Sequence, residues 1–293
     1  MPKIKKSFFT LLEVLVSMGV FSLLMLALMQ FFSAAQGVWE RTGNKAELFE
    51  SAKTAMDILA NDLACAYYEQ DHDPAYLFFN ISSTDSSQVV FAAQKEDGNA
   101  QIFYKWDNTA GKIHRVERKE SDVFTSGTVT PSNWFTRSGT GWIASMSGTA
   151  LTDGEGKNPY CLAENVLDFS ITAHKKNALT TPLTISSATA DKFPDTVIVS
   201  MTVLSNDAHE KLLVRFAAET DKEAAIRTLF NTTTFRYIKA DGSESGESET
   251  ATIRQMLTAN TPPSGGDETN QAILFNGCQR FTCVIPLNRG QNK

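Results

Sequence analysis

Residues 9–35 read FTLLEVLVSMGVFSLLMLALMQFFSAA, and from Val14 to Ala35 none is charged. As a helix rising ~1.5 Å per residue, the uncharged part alone would span ~33 Å, which matches a bilayer hydrocarbon core of ~30 Å. A soluble core helix is rarely apolar on every face over that length. Ahead of it stand Lys3, Lys5 and Lys6 in MPKIKKSF, with no acid among them. That basic flank places the N-terminus in the cytoplasm and the rest of the chain outside. One residue does not suit an ordinary anchor. Glu13 sits at the edge of the apolar run, and a carboxylate taken to membrane depth costs roughly 2.5–3.5 kcal/mol. Either it has a partner there, or it lies at the interface and reaches water.

Beyond Ala35 the pattern becomes amphipathic. Phe49, Ala52, Met56, Leu59, Leu63 and Ala66 recur at steps of three and four, forming one helix face. Glu47, Glu50, Lys53, Asp57 and Asn61 occupy much of the remainder. No proline interrupts residues 9–67, although Gly37 and Gly43 soften the junction. The spacing predicts one helix whose inner half is apolar all round and whose outer half packs against a globular domain.

After Asp71-His72-Asp73-Pro74 the residue types change to those of strands. Residues 88–94, 100–106 and 112–118 are rich in β-branched and aromatic residues, separated by Asp97-Gly98-Asn99 and by a turn at 108–111. They predict a three-stranded meander. A Ser-, Thr- and Gly-rich surface excursion is expected over 121–159. Two further strands are expected at 162–173 and 196–204, the latter alternating Val197, Val199, Met201 and Val203 on one face. Residues 206–218 and 221–230 have helical spacing, with a strand over 211–219 as the alternative. Polar loops at 241–249 and 261–268 precede a closing strand at 280–287.

The chain is 42% hydrophobic with a net charge of -6, and no Lys/Arg run exceeds two residues. This excludes the basic footprint of a nucleic-acid binder. His72, His114, His174 and His209 are scattered, and no HExxH, P-loop, GxSxG or GxGxxG motif occurs. Asp71-x-Asp73 reads as a turn before Pro74, and Asp267-Glu268 supplies too few ligands for a cation. No cofactor or metal is expected. Four cysteines stand at Cys65, Cys161, Cys278 and Cys283. Outside the cytoplasm, a disulfide between Cys278 and Cys283 is favoured by its short loop, with buried free thiols as the alternative.

The stretch from Phe9 to Val16, FTLLEVLV, with a basic leader before it and a long apolar helix after it, resembles the N-terminal motif of type IV pilins and type II secretion pseudopilins. That resemblance implies removal of residues 1–8 by a prepilin peptidase, cutting between Phe8 and Phe9, and N-methylation of Phe9. It also implies that Glu13 pairs with the freed amine of a neighbouring subunit. One position departs from the pattern: Phe8 stands where the family usually has glycine, and its ring should hinder the peptidase. The order of long helix, meander, strand pair and FPDTVIVSMTVLS is similar to minor pseudopilins of the J type, and the longer C-terminal third to pseudopilin-like proteins from multi-gene cassettes of the Verrucomicrobia type.

The expected fold is therefore α+β and pilin-like. It has a leader (1–8), a membrane half of the helix (9–35), an amphipathic half (36–67) and an antiparallel β domain with extra C-terminal helices (68–293, with excursions at 121–159 and 220–270). The resemblance implies a lollipop shape. It also implies a structural subunit, not an enzyme, in the inner membrane, with other pilin-like subunits and the peptidase as partners. The alternative is a singly anchored or signal-peptide-secreted domain that binds a ligand or acts on a polymer, since Ser33-Ala34-Ala35 resembles a signal-peptidase site.

Overall fold

The apolar run and the amphipathic stretch form a single element, α1 (Leu11–Ala64), in the computed structural model. The structure describes residues 11–67, 79–81, 87–96, 98–119, 160–176, 178–183, 193–246, 248–265 and 269–287. Phe8, Phe9, the Asp71/Asp73 pair, the 121–159 excursion and Asp267-Glu268 lie outside them. The chain divides into two compact units, Met1–Glu47 and Leu48–Lys293. In the first, every residue of Leu11–Ser33 is exposed, and this segment is long and apolar enough to cross a membrane.

In the second unit, Ala52, Met56, Leu59 and Leu63 are buried, as their spacing predicts. Phe49 is not: it remains 56% exposed and rests its ring on Phe281 at 5.9 Å. These helix residues pack on two antiparallel sheets. The first sheet runs β1 (Phe79–Ile81), β2 (Gln88–Lys95), β3 (Gly98–Asp107), β4 (Lys112–Lys119) and β5 (Tyr160–Ala163) in sequence order. The meander forms because each turn has the residues it needs. Gly98 adopts φ +115° and Gly111 φ +65°, and Asp107 Oδ1 accepts from the Thr109 and Ala110 N–H groups at 2.8 and 3.2 Å.

The second sheet has the order β10-β7-β6, from β6 (Val166–His174), β7 (Thr196–Leu204) and β10 (Cys278–Pro286). The single strand expected over 162–173 is thus two strands in different sheets. Asn165, at φ 55°, breaks the run in the left-handed region that asparagine tolerates. A bulge follows, because Val166 pairs with Val203 while Asp168 pairs with Thr202. The extra residue, Leu167, is thereby turned out of the main core, to which Val166 belongs, into a second apolar cluster.

Helices form that second cluster. Between β7 and β10 lie α2 (Asn206–Arg215), α3 (Lys222–Asn231), a short ribbon of β8 (Thr234–Phe235) and β9 (Ala251–Thr252), α4 (Ile253–Ala259) and α5 (Asn270–Gly277). Leu212, Ile226, Phe230, Ile253, Met256 and Leu274 meet within it. Ser205 caps α2, Asp221 caps α3 and Thr269 caps α5, while Thr252 and Gln255 form a capping box on α4. For 206–218 the helical reading holds and the strand alternative does not. Helices α4 and α5 were not foreseen, since each is short and flanked by loop-forming residues. The insert closes on itself: Leu204 pairs with Cys278 at the end of the ladder, and the Ser205 N–H donates to the Gly277 carbonyl at 2.9 Å.

The Cys278–Cys283 disulfide is corrected by β10. The ladder runs without a slip from Cys278 opposite Leu204 to Cys283 opposite Val199. Five residues of extended strand separate the two Cα atoms by ~17 Å, whereas a disulfide needs them within ~7 Å. Their odd separation also puts them on opposite faces, Cys278 in the helical cluster and Cys283 against the main core. All four cysteines are free, and burial pushes the Cys278 thiol well above its usual pKa. Alkylation of the denatured, unreduced protein should therefore modify all four thiols. In the native protein Cys278 should react slowest, and a missing label in the denatured sample would contradict this arrangement.

Candidate functional site

Two parts of α1 carry chemistry that plain packing does not require. The first is its exposed N-terminal span. Glu13 lies in the first described turn of α1, where it is exposed along with the rest of the span. Within the span, Ser17 donates its hydroxyl to the Val14 carbonyl at 2.9 Å and Ser22 to the Met18 carbonyl at 2.8 Å. These two hydroxyls are thus satisfied by their own helix, as an apolar surrounding demands. Phe31 and Phe32, 69% and 62% exposed, present rings with no polar atom.

The second part is the C-terminal end of α1, where Asp62 is 4% exposed. Its Oδ2 accepts from the Tyr104 hydroxyl at 2.5 Å and from Arg115 Nε at 2.6 Å. Its Oδ1 accepts from Arg115 Nη2 at 3.1 Å and Lys95 Nζ at 3.3 Å. Arg115 Nη2 and Lys95 Nζ also donate to Glu117 Oε2, at 2.6 and 2.9 Å. The sheet register explains the convergence, because Tyr104 and Arg115 are directly paired and Glu117 follows Arg115 on the same face. Burial would raise the Asp62 pKa, but the Arg115 and Tyr104 hydrogen bonds and the nearby positive charges outweigh it and hold the carboxyl below its usual range. Burial, reinforced by the Asp62 charge, pushes the Tyr104 phenol far up, so it stays a donor. The result is an ionised, four-donor clamp between α1 and the first sheet.

Asp62 has a signal in the sequence: it lies three residues after Leu59, inside the apolar stripe. A lone carboxylate on a buried face implies partners, but Lys95, Tyr104 and Arg115 are distant in the chain and cannot be named from spacing. The histidines are dispersed. His174 Nε2 lies 2.9 Å from Thr172 Oγ1, His209 Nε2 lies 2.7 Å from Glu223 Oε1, and His114 pairs across strands with Lys105 and Cys161. No family model matches this chain, and no curated protein matches it.

Proposed function

We propose that the chain is a structural subunit of a type II secretion or type IV pilus-like assembly, of the minor pseudopilin kind. In this reading Leu11–Ser33 anchors it in the inner membrane with its N-terminus in the cytoplasm, and polymerisation runs through α1. The supporting observation is the placement of Glu13, a carboxylate within the apolar span Leu11–Ser33, all of whose residues are exposed. Such a charge is costly at membrane depth unless neutralised, and a neighbouring subunit's terminal amine would neutralise it. The signal-peptide alternative fits less well, because α1 continues without a break through Ser33-Ala34-Ala35 and on to Ala64.

Glu13→Val should insert at least as well as the wild type while losing incorporation beside its partner subunits. A pairing that offsets even half of the roughly 2.5–3.5 kcal/mol burial cost corresponds to a loss of roughly tenfold. Glu13→Gln should fall between, since an amide accepts a hydrogen bond without neutralising an amine. Crosslinking to neighbouring pilin-like subunits, with membrane fractionation of the same variants, measures this. Equal crosslinking of Glu13→Val and wild type would remove the reading's main support. With a cognate prepilin peptidase, mass spectrometry should find a mature chain starting at Phe9 with an added methyl group, and Phe8→Gly should raise its yield. A start at Gln36 would instead establish a secreted domain.

A further inference from the structure

We propose that Trp39 is a lipid-interface anchor, its indole lying among phospholipid headgroups on the outer side of the membrane that Leu11–Ser33 crosses. This rests on the membrane-spanning reading above and does not need assembly. Trp39 is 82% exposed and belongs to the same helix as the span. No charged residue stands between Glu13 and it, and the first charges beyond it are its immediate successors, Glu40 and Arg41.

The geometry sets its depth. The middle of Leu11–Ser33 is Ser22, and the Cα of Trp39 lies ~25 Å from it along the helix axis. Helical side chains lean toward the N-terminus, here toward the membrane, which brings the ring back by several Å. A bilayer with its headgroups reaches about 20–22 Å on each side of the midplane, so the indole meets the headgroup layer. Its chemistry suits that layer, where an apolar ring is covered and an N–H still finds an acceptor. The contrast with Phe31 and Phe32 follows the same order: the rings without a polar atom lie within the span, and the ring with one lies past its end.

The test uses the full chain in phosphatidylcholine–phosphatidylglycerol vesicles, comparing wild type with Trp39→Phe. The emission lost in Trp39→Phe reports Trp39, since Trp106, Trp134 and Trp142 are common to both. That component should be quenched at least about twofold more by a headgroup nitroxide lipid than by one labelled deep in the acyl chain. A component quenched by aqueous iodide and by neither lipid would put Trp39 in water and overturn the proposal. One shielded from iodide and both lipids would put it against a second copy of the chain and overturn it equally. Flotation separates the two readings. A chain that fails to float with vesicles overturns the spanning segment and the anchor together, whereas one that floats with a water-exposed Trp39 overturns the anchor alone.

Discussion

Replacing Asp62 by alanine should lower the unfolding free energy of the full chain in mild detergent by about 3–5 kcal/mol, the cost of leaving a buried charge without its partner. Arg115, whose side chain is 17% exposed, loses both of its bonds to Asp62 and keeps only the one to Glu117 at 2.6 Å, which puts the effect toward the lower end of that range. Tyr104→Phe should cost less, about 1.5–3 kcal/mol, because it removes one hydrogen bond to a charged acceptor and leaves the ion pair. Asp57→Ala, on the exposed side of the same helix, should change stability by no more than about 0.5 kcal/mol. Urea unfolding of the three variants checks the ranking, and an Asp62→Ala effect as small as that of Asp57→Ala would refute the clamp. The same cluster fixes an acid response. Asp62 and Glu117 both have folded pKa values held below their ordinary ones, despite the opposing effect of burial. The unfolded chain therefore binds more protons as pH falls through the carboxylate range. Their contribution is complete above about pH 4.5 and is lost progressively below it. Asp62→Ala should flatten that acid limb.

Gly277→Ala should also destabilise, although the same change in an isolated helix would stabilise by about 1 kcal/mol. A Cβ at Gly277 would lie 2.2 Å from the Ala208 Cβ, 3.2 Å from Leu204 Cδ1 and 3.3 Å from Ser205 Oγ. Helices α2 and α5 cross at this point with nothing but a hydrogen on one side. Separating them opens the cluster around Leu212 and Leu274, and overpacking of this kind costs about 1–3 kcal/mol. Adding Ala208→Gly removes the hardest contact, so the double variant should recover part of the loss. The remaining two contacts are tight enough to keep recovery incomplete. Additive losses in a double-mutant cycle would show that the two residues do not meet.

Long periodic segments were legible from the sequence because many residues report the same periodicity. The inner face of α1, the β2–β4 meander and the bounds of β7 at Thr196–Leu204 all follow from spacing and turn residues. Features decided by one residue were harder to read. Asn165 alone divides β5 from β6, and the split into two sheets depends on pairing that no local pattern contains. Cys278 and Cys283 do not pair because the β-branched and aromatic residues around them keep 278–283 extended in β10, which a short separation in sequence does not reveal. Glu13 was visible as a charge in an apolar run. Asp62 carried a weaker signal, its place inside the apolar stripe, but its partners lie in β2, β3 and β4 and no spacing names them.

The closed neck of the helical insert has a consequence for descent. Leu204 and Cys278 face each other, and the Ser205–Gly277 hydrogen bond joins the chain's exit to its return. The chain thus leaves and re-enters the sheet at one point at the end of an intact strand pair, while Leu167 of β6 and the Arg254–Asp168 ion pair at 3.1 Å add side-chain contacts beneath the helices. One recombination event there would add or delete the helices as a body while leaving the β7–β10 register unchanged. Relatives of different length would then differ by whole helices at this junction, with the sheets beneath conserved in size.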